Sequence, residues 1–143
     1  MKPLPHQYAV SATARQTGNI QLTEGKLSLA TNAPEDFDGP GGLWTPETLF
    51  VGAVSDCFCL TFRAIARAVK MDWLSITCEA DGTLDKIDGP MQFTHVAIAA
   101  RLEIPAGGDI SKAEQLLHKA ESACLISNSL TCTRSLETVI LEV

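Results

Sequence analysis

Two cysteines lie close together in the stretch VSDCFCLTF, residues 54–62, which is otherwise apolar apart from one aspartate. A thiolate is a strong nucleophile and a metal ligand, so each cysteine is a candidate for redox or metal chemistry. Cys57 and Cys59 are two positions apart, and on a helix their side chains point about 200° away from each other. At most one of them therefore faces a given site.

The same segment predicts a long helix. Thr45 is a suitable N-cap, Pro46 suits the first helical position, and Glu47 places a negative charge in the first turn. Apolar residues then recur at helical spacing to about Lys70, and the flanking positions are also apolar. The pattern predicts a helix that is buried nearly all round. Its periodic stripe contains Phe50, Val54, Cys57 and Thr61.

The rest of the chain predicts strands and one more helix. A strand and a hairpin turning at Glu24-Gly25 precede a loop rich in proline and glycine, residues 32–46. Two strands follow, then a helix with a capping box at Ser111 and Glu114, then a final strand. The inner stripe of that helix contains Ala113, Leu116, Leu117 and Ala120, and Cys124 falls at or just past its end. Grouped strands predict an α+β fold, here a single domain over residues 1–143.

Composition and charge narrow the function classes. The chain has 143 residues, a formal net charge of -6 and no cluster of Lys or Arg. Binding to nucleic acid requires a basic face, so the charge argues against nucleic acid and against anionic membrane surfaces. No uncharged apolar run reaches the ~18 residues that span a bilayer, and the N-terminus lacks the apolar segment of a secretory signal. These features predict a cytoplasmic protein.

The other candidate ligands favour structural roles. The chain has five cysteines but no C-x2-C pair, and Cys57 and Cys59 diverge on a helix, so a zinc site is disfavoured. Cys78 and Cys132 lie in or at the entry to strands, where packing is the simpler prediction. His6, His95 and His118 are scattered along the chain, and we expect them to be structural or solvent-facing.

The segment TPETLFVGAVSDCF resembles a motif of the OsmC/Ohr family of thiol-dependent hydroperoxide reductases. In that family a Pro-Glu pair opens the central helix, and a reactive cysteine, usually followed by phenylalanine, comes ten residues after the glutamate. The corresponding residues here are Pro46, Glu47 and Cys57. The segment AESACLIS is similar to the second signature of the family, with Cys124 shortly followed by Ser127.

The resemblance implies a fold, a site and an activity. The fold would have antiparallel sheets around a long central helix in an intertwined homodimer. Cys57 would be the peroxidatic thiol and Cys124 the resolving thiol, while Arg15, oriented by Glu47, would favour the Cys57 thiolate. The implied activity is reduction of organic hydroperoxides, and of hydrogen peroxide less well. An external dithiol would be the reductant, a dihydrolipoyl group in the Ohr branch, and no cofactor is implied.

Helix geometry adds a constraint on the site. Glu47 and Cys57 are ten residues apart, roughly 15 Å along a straight helix, so they cannot share one site within one helix. If Arg15 and Glu47 serve such a cysteine, they serve it across a dimer interface.

Substrate contacts and an alternative function remain open from the sequence. Phe37 and Trp44 are either core anchors or the lining of an apolar pocket for an organic peroxide, and Phe58 is a third candidate substrate contact. Leu125 replaces the proline that commonly follows the second cysteine, and Asp56 replaces a small apolar residue before Cys57. These departures from the family pattern favour an alternative function, in which a non-catalytic OsmC-like protein binds an apolar ligand in the dimer cleft.

Overall fold

The computed structural model describes residues 1–143 and has an α+β architecture of two three-stranded sheets and two α-helices. The chain divides into two compact units, Met1–Leu49 and Phe50–Val143. The α+β prediction is confirmed.

The first unit contains an antiparallel sheet in the order β1 (Ser11–Thr13), β2 (Ile20–Glu24), β3 (Leu27–Thr31). β2 and β3 form the predicted hairpin, but its turn lies at Gly25 and Lys26, one residue later than predicted. Gly25 takes a φ of 56°, the left-handed conformation that a tight hairpin turn requires and that glycine adopts without strain. The long loop after β3 contains one 3-10 turn, Glu35–Phe37.

Helix α1 (Pro46–Ala68) begins where the sequence predicts. The backbone N–H of Thr48 donates to the Thr45 hydroxyl at 3.1 Å, and the Thr45 N–H donates to the Thr48 hydroxyl at 2.9 Å. This reciprocal cap satisfies two N–H groups that the first turn leaves free. The helix ends just before the predicted Lys70, which takes a left-handed φ of 57° and so stops the helical backbone.

The prediction that α1 is buried nearly all round is wrong for the single chain. Its fully buried residues form one stripe, Val54, Phe58, Phe62 and Ala66. Cys57 and Thr61 are only half-buried beside that stripe, and Phe50 is 40% exposed. By length and composition α1 would also be apolar enough to cross a membrane, a test that the core helix of a globular protein passes equally. Helix α1 therefore has more apolar residues than the single chain buries.

The second unit contains β4 (Ser75–Asp85), β5 (Gln92–Ile104) and β6 (Thr133–Glu142), in that order in the sheet. β4 and β5 are antiparallel, whereas β6 runs parallel to β5, with His95 opposite Thr133. The expectation of purely antiparallel sheets is therefore wrong for this pair. The physical reason is the connection, because α2 (Ile110–Ala123) provides the crossover that a parallel pair needs.

Helix α2 starts earlier than the capping box suggested. Asp109, not Ser111, is the N-cap, and its carboxylate accepts the backbone N–H of Lys112 at 2.9 Å. A carboxylate at this position also faces the positive end of the helix dipole. The predicted inner stripe is confirmed, since all its members are buried: Ala113, Leu116, Leu117 and Ala120. They belong to the same buried core cluster as alternate residues of β5, among them Ile98 and Leu102.

Candidate active site

Cys57 and Cys124 meet in the second unit, although 67 positions separate them in the chain. Cys57 projects half-buried from α1, and Cys124 is fully buried at the C-cap of α2. The two thiols are close enough to share a hydrogen bond, and both are free rather than joined in a disulfide. The arrangement can therefore pass between a dithiol and a disulfide form.

A tight turn after α2 surrounds the Cys57 sulfur with hydrogen-bond donors. The turn closes where the N–H of Asn128 donates to the Cys124 carbonyl at 2.9 Å, and it continues as a 3-10 turn, Ser127–Ser129. This shape directs the backbone N–H groups of Ile126 and Leu125 at Cys57. Converging N–H groups of this kind stabilise an anion.

The pKa of the Cys57 thiol lies below its ordinary value. Burial raises the pKa, but hydrogen bonds from the Ile126 N–H, the Cys124 thiol, the Thr61 hydroxyl and the Leu125 N–H together outweigh burial. The Thr61 oxygen lies 3.8 Å from the sulfur, one helical turn along α1. No positive side chain is among the groups that lower this pKa, so hydrogen bonding alone favours the thiolate within the chain.

The pKa of the Cys124 thiol is shifted in the opposite direction. Burial raises it, the hydroxyl and the N–H of Ser127 lower it only in part, and the neighbouring Cys57 raises it further. The Ser127 hydroxyl is buried without a nitrogen or oxygen partner, which leaves it free to interact with the Cys124 sulfur. Cys57 therefore loses its proton first, while Cys124 keeps its proton and donates it towards Cys57.

Cys59 and Cys78 lack this activation. Burial raises the pKa of Cys59, and Asp56 raises it further, although the N–H of Cys78 opposes both. Asp56 is exposed and does not act on Cys57, in agreement with the direction its side chain takes on the helix. Burial, with smaller contributions from neighbouring thiols and Glu79, raises the pKa of Cys78 to about 12. No three His, Cys, Asp or Glu side chains are placed to hold a metal ion.

The first unit carries the two other predicted catalytic residues. Arg15 lies exposed in the connection between β1 and β2 and forms no ion pair. Glu47 lies in the first turn of α1, where one carboxylate oxygen is buried without a hydrogen-bond partner. Arg15 and Glu47 therefore form no ion pair within the chain, and their catalytic roles stay predictions.

An apolar cavity of about 420 Å³ opens beside Glu47 in the first unit. Phe37 lines this cavity, whereas Trp44, which forms an isolated bridge to Thr31, does not. Its lining is Ala12, Ile20, Leu22, Thr31, Asn32, Ala33, Pro34, Phe37, Pro46, Glu47 and Leu49. Phe58 is 0% exposed in the core of the second unit, so its full burial removes it from the candidate substrate contacts.

Comparison with known families shows which family the chain belongs to. The model of the OsmC-like protein family matches residues 39–139, a span that includes Glu47, Cys57 and Cys124. The chain belongs to the OsmC-like protein family. The family resemblance inferred from the two cysteine segments is confirmed.

Relatives with similar sequences carry the OsmC name or none that describes an activity. Peroxiredoxin OsmC of Escherichia coli (strain K12) is 29% identical over 101 residues, which cover 71% of this chain and 69% of that protein. YmaD of Bacillus subtilis (strain 168) is 26% identical over 114 residues, covering 76% of this chain and 75% of that protein.

Solved structures share the OsmC-like fold. An OsmC-like protein of Vibrio cholerae has a TM-score of 0.86 at 20% identity, with 94% of this chain and 100% of that chain covered. An organic hydroperoxide resistance protein OsmC of Legionella pneumophila has a TM-score of 0.76 at 23% identity, covering 99% and 100%. At these identities the likeness establishes the fold.

Several contacts around Cys57 and Cys124 were missed from the sequence. Thr61 is four positions after Cys57 and so on the same helical face, a spacing that predicts the contact. Ser127 was named in the second signature as the serine that follows Cys124, but its contact with the Cys124 sulfur was not predicted. The N–H groups of Leu125 and Ile126 carried no signal in the sequence, because every residue except proline has one.

Proposed function

We propose that this OsmC-like protein is a cysteine-based peroxidase that reduces organic hydroperoxides, and hydrogen peroxide less well. The observation that carries the proposal is the pair of opposite pKa shifts on two adjacent thiols, lowered at Cys57 and raised at Cys124. A peroxidatic cysteine has to be a thiolate near neutral pH, and a resolving cysteine has to wait as a thiol. The relationship to Peroxiredoxin OsmC supports the same activity.

The reaction proceeds in two chemical steps, followed by reduction of the disulfide. The Cys57 thiolate attacks one peroxide oxygen, the O–O bond breaks, and the alkoxide takes up a proton and leaves as alcohol. This step leaves Cys57 as a sulfenic acid. The Cys124 sulfur then attacks the Cys57 sulfur, loses its proton and expels water, which forms the Cys57–Cys124 disulfide. An external dithiol returns the two electrons by thiol–disulfide exchange.

The site is completed in a homodimer. Cys57 has no cation among the groups that lower its pKa, and the Glu47 carboxylate has a buried oxygen without a partner. Because the two residues are roughly 15 Å apart on one helix, Arg15 and Glu47 of one protomer serve Cys57 of the other. Phe37 and Trp44 would then provide apolar contacts for the organic part of the peroxide.

The reductant and the compartment follow from the chemistry. A disulfide that forms in every cycle needs a dithiol that is continuously available, and a dihydrolipoyl group is the proposed donor. Five free cysteines also fit a reducing compartment, so we place the protein in the cytoplasm. The scheme uses no metal, flavin or haem.

Thiol titration tests the proposal. One equivalent of an organic hydroperoxide should remove two of the five thiols per chain, and a dithiol should restore both. A Cys57→Ser variant should lose none rapidly, whereas the matched Cys132→Ser variant should still lose two. Equal thiol loss in the wild type and in Cys57→Ser would refute the peroxidase assignment.

Subunit mixing tests the completed site. The Glu47→Gln and Cys57→Ser homodimers should each be nearly inactive. When the two chains are unfolded and refolded together, each heterodimer should contain one intact site, so about a quarter of the wild-type activity should return. Failure to recover activity in heterodimers that have demonstrably formed would place Glu47 and Cys57 outside a shared site.

Binding of an apolar ligand is the second candidate function, favoured by the 420 Å³ cavity beside Phe37. Under this reading the protein would bind an environment-sensitive apolar dye, and hydroperoxide would leave its thiols unchanged. Replacing Phe37 by Ala would weaken dye binding, and replacing Cys57 would not. Rapid loss of two thiols with hydroperoxide excludes this candidate as the main function.

A further inference from the structure

Arg134 on β6 connects the end of α2 to the turn that follows it. Its Nε lies 3.1 Å from a carboxylate oxygen of Glu121, and both side chains are largely buried, with 23% and 19% exposed. The two terminal nitrogens of the same guanidinium donate to the side-chain oxygen of Asn128 at 3.4 and 3.5 Å. One planar group thus contacts a helix and a turn at the same time.

Asn128 links Arg134 to the turn that begins at Cys124. Its side-chain NH2 donates to the carbonyl of Ser122 on α2 at 3.0 Å, and its backbone N–H donates to the carbonyl of Cys124 at 2.9 Å. Arg134 therefore fixes the far end of the turn, while α2 fixes its start at Cys124. The intervening residues, Leu125 and Ile126, have little freedom to rotate their N–H groups away from Cys57.

We propose that Arg134 is a positioning residue for the Cys57–Cys124 reaction, and that it holds, through Glu121 and Asn128, the turn whose N–H groups stabilise the Cys57 thiolate. The inference rests on the proposed peroxidase function. Arg134 does not touch either sulfur, and it is absent from the groups that act on Cys57. It acts through the shape of the turn rather than through its charge.

The geometry predicts that lysine cannot replace this arginine. The two terminal nitrogens of the planar guanidinium donate to Asn128 while its Nε lies at ion-pair distance from Glu121, whereas a lysine ammonium is a single point on a flexible stem. Arg134→Lys keeps the positive charge and loses the contact with the turn. A purely electrostatic role would survive this substitution, and a positioning role would not.

The test is the pH profile of Cys57 alkylation by iodoacetamide, with the Cys57 peptide quantified by mass spectrometry. We expect Arg134→Lys and Asn128→Ala to move the midpoint to higher pH by similar amounts. The alkylation rate at neutral pH should fall on the order of threefold to tenfold, as a rise of up to one pKa unit requires. Arg101→Lys is the matched control, because Arg101 on β5 is exposed and its ion pair with Glu103 is long, 3.8 Å.

The variants also separate positioning from folding. Asn128 is exposed, so Asn128→Ala breaks the connection to the turn and leaves the buried Arg134–Glu121 pair intact. The double variant should shift the profile no further than either single variant. An unchanged profile in Asn128→Ala, or a wild-type profile in Arg134→Lys beside a shifted one in Arg134→Gln, overturns the proposal.

The measurement distinguishes this inference from the proposed function, since alkylation requires no peroxide. Shifted profiles in a protein that consumes no hydroperoxide would refute the peroxidase function and keep the positioning role. Unchanged profiles in an active peroxidase would do the reverse.

Discussion

Four hydrogen-bond donors converge on the sulfur of Cys57, and two of them are backbone N–H groups of one turn. The resemblance to the OsmC/Ohr family predicted a cation in this role, because an isolated cysteine with a pKa near 8.5 is mostly protonated at neutral pH. Within one chain the Cys57 thiolate is stabilised by these hydrogen-bond donors instead of a cation. A guanidinium from a partner would add to a thiolate that is already favoured, so Arg15 would complete a site that the turn has prepared.

The pKa directions predict the order in which the thiols react. Alkylation requires the thiolate, so Cys57, with its lowered pKa, should react first and reach its plateau at the lowest pH. Cys78, with a pKa of about 12, should remain mostly unmodified even at pH 10 in the folded protein. Quantitative mass spectrometry of each cysteine peptide across pH provides the measurement. Alkylation of Cys78 ahead of Cys57 would contradict the assignment of the thiolate.

At the residue scale the sequence was informative where side-chain identity carries the chemistry. Cys57 and Cys124 were found from residue type and motif, and the structure brings them together. Phe58, named as a candidate substrate contact, is fully buried, because the buried stripe of α1 runs through Phe58 and not through Cys57. The backbone N–H donors of the turn could not be predicted, because nearly every residue type has a backbone N–H group.

At the element scale, α1 packs closely on β4 at Gly82. Gly82 on β4 leaves room for Val51, and a Cβ added there would lie 2.7 Å from the Val51 side chain and 2.9 Å from the Phe93 ring. Phe93 in turn stacks on Phe50 with ring centroids 4.8 Å apart. Further along the helix, Phe62 meets Trp73 edge to face at 5.4 Å. The absence of a side chain at Gly82 thus allows α1 to pack closely on β4.

Gly82→Ala should therefore destabilise the second unit. The backbone at Gly82 does not have a positive φ, so the cost comes from overpacking against Val51 and Phe93, about 1–3 kcal/mol. Denaturant unfolding measures this loss as a lower midpoint. Gly89→Ala is the matched control, because the nearest atom to its added Cβ is 4.0 Å away and the change should be close to neutral. Equal effects of the two substitutions would argue against close packing at Gly82.

The elements themselves were predictable where a local pattern determines them. The start of α1, the β2–β3 hairpin and the inner stripe of α2 follow from capping, turn and periodicity signals. The parallel pairing of β6 with β5 did not, because strand direction depends on the crossover through α2 rather than on any residue in β6. Ser111 was predicted as the N-cap of α2, but Asp109 is the N-cap, because a capping motif alone does not determine where the chain enters the helix.

At the scale of the whole molecule, the prediction of one domain over residues 1–143 stays a prediction, beside two compact units divided at Leu49 and Phe50. The face of α1 opposite the core contains Leu60, which is 49% exposed, with Asp56 and Arg63 beside it. The sequence predicted a helix buried nearly all round, and one chain buries a single stripe. A second copy related by two-fold symmetry would cover Leu60 with Leu60 and bring opposite charges together.

Leu60→Glu should therefore convert the proposed homodimer into monomers. Two like charges would face each other at the two-fold axis, whereas in the isolated chain the substitution falls on an exposed position with little effect on folding. Light scattering after size exclusion should give twice the chain mass of 15.3 kDa for the wild type and the single mass for the variant. Ile87→Glu is the control, since Ile87 is 61% exposed in the β4–β5 connection and should leave the mass unchanged.

The monomeric Leu60→Glu variant should also lose most of its peroxidase activity, because Arg15 and Glu47 would be separated from the partner's cysteine. Its alkylation profile should stay that of the wild type, since the turn after α2 belongs to the same chain as Cys57. A dimeric Leu60→Glu variant, or a monomer with full activity, would show that the site is complete without this contact.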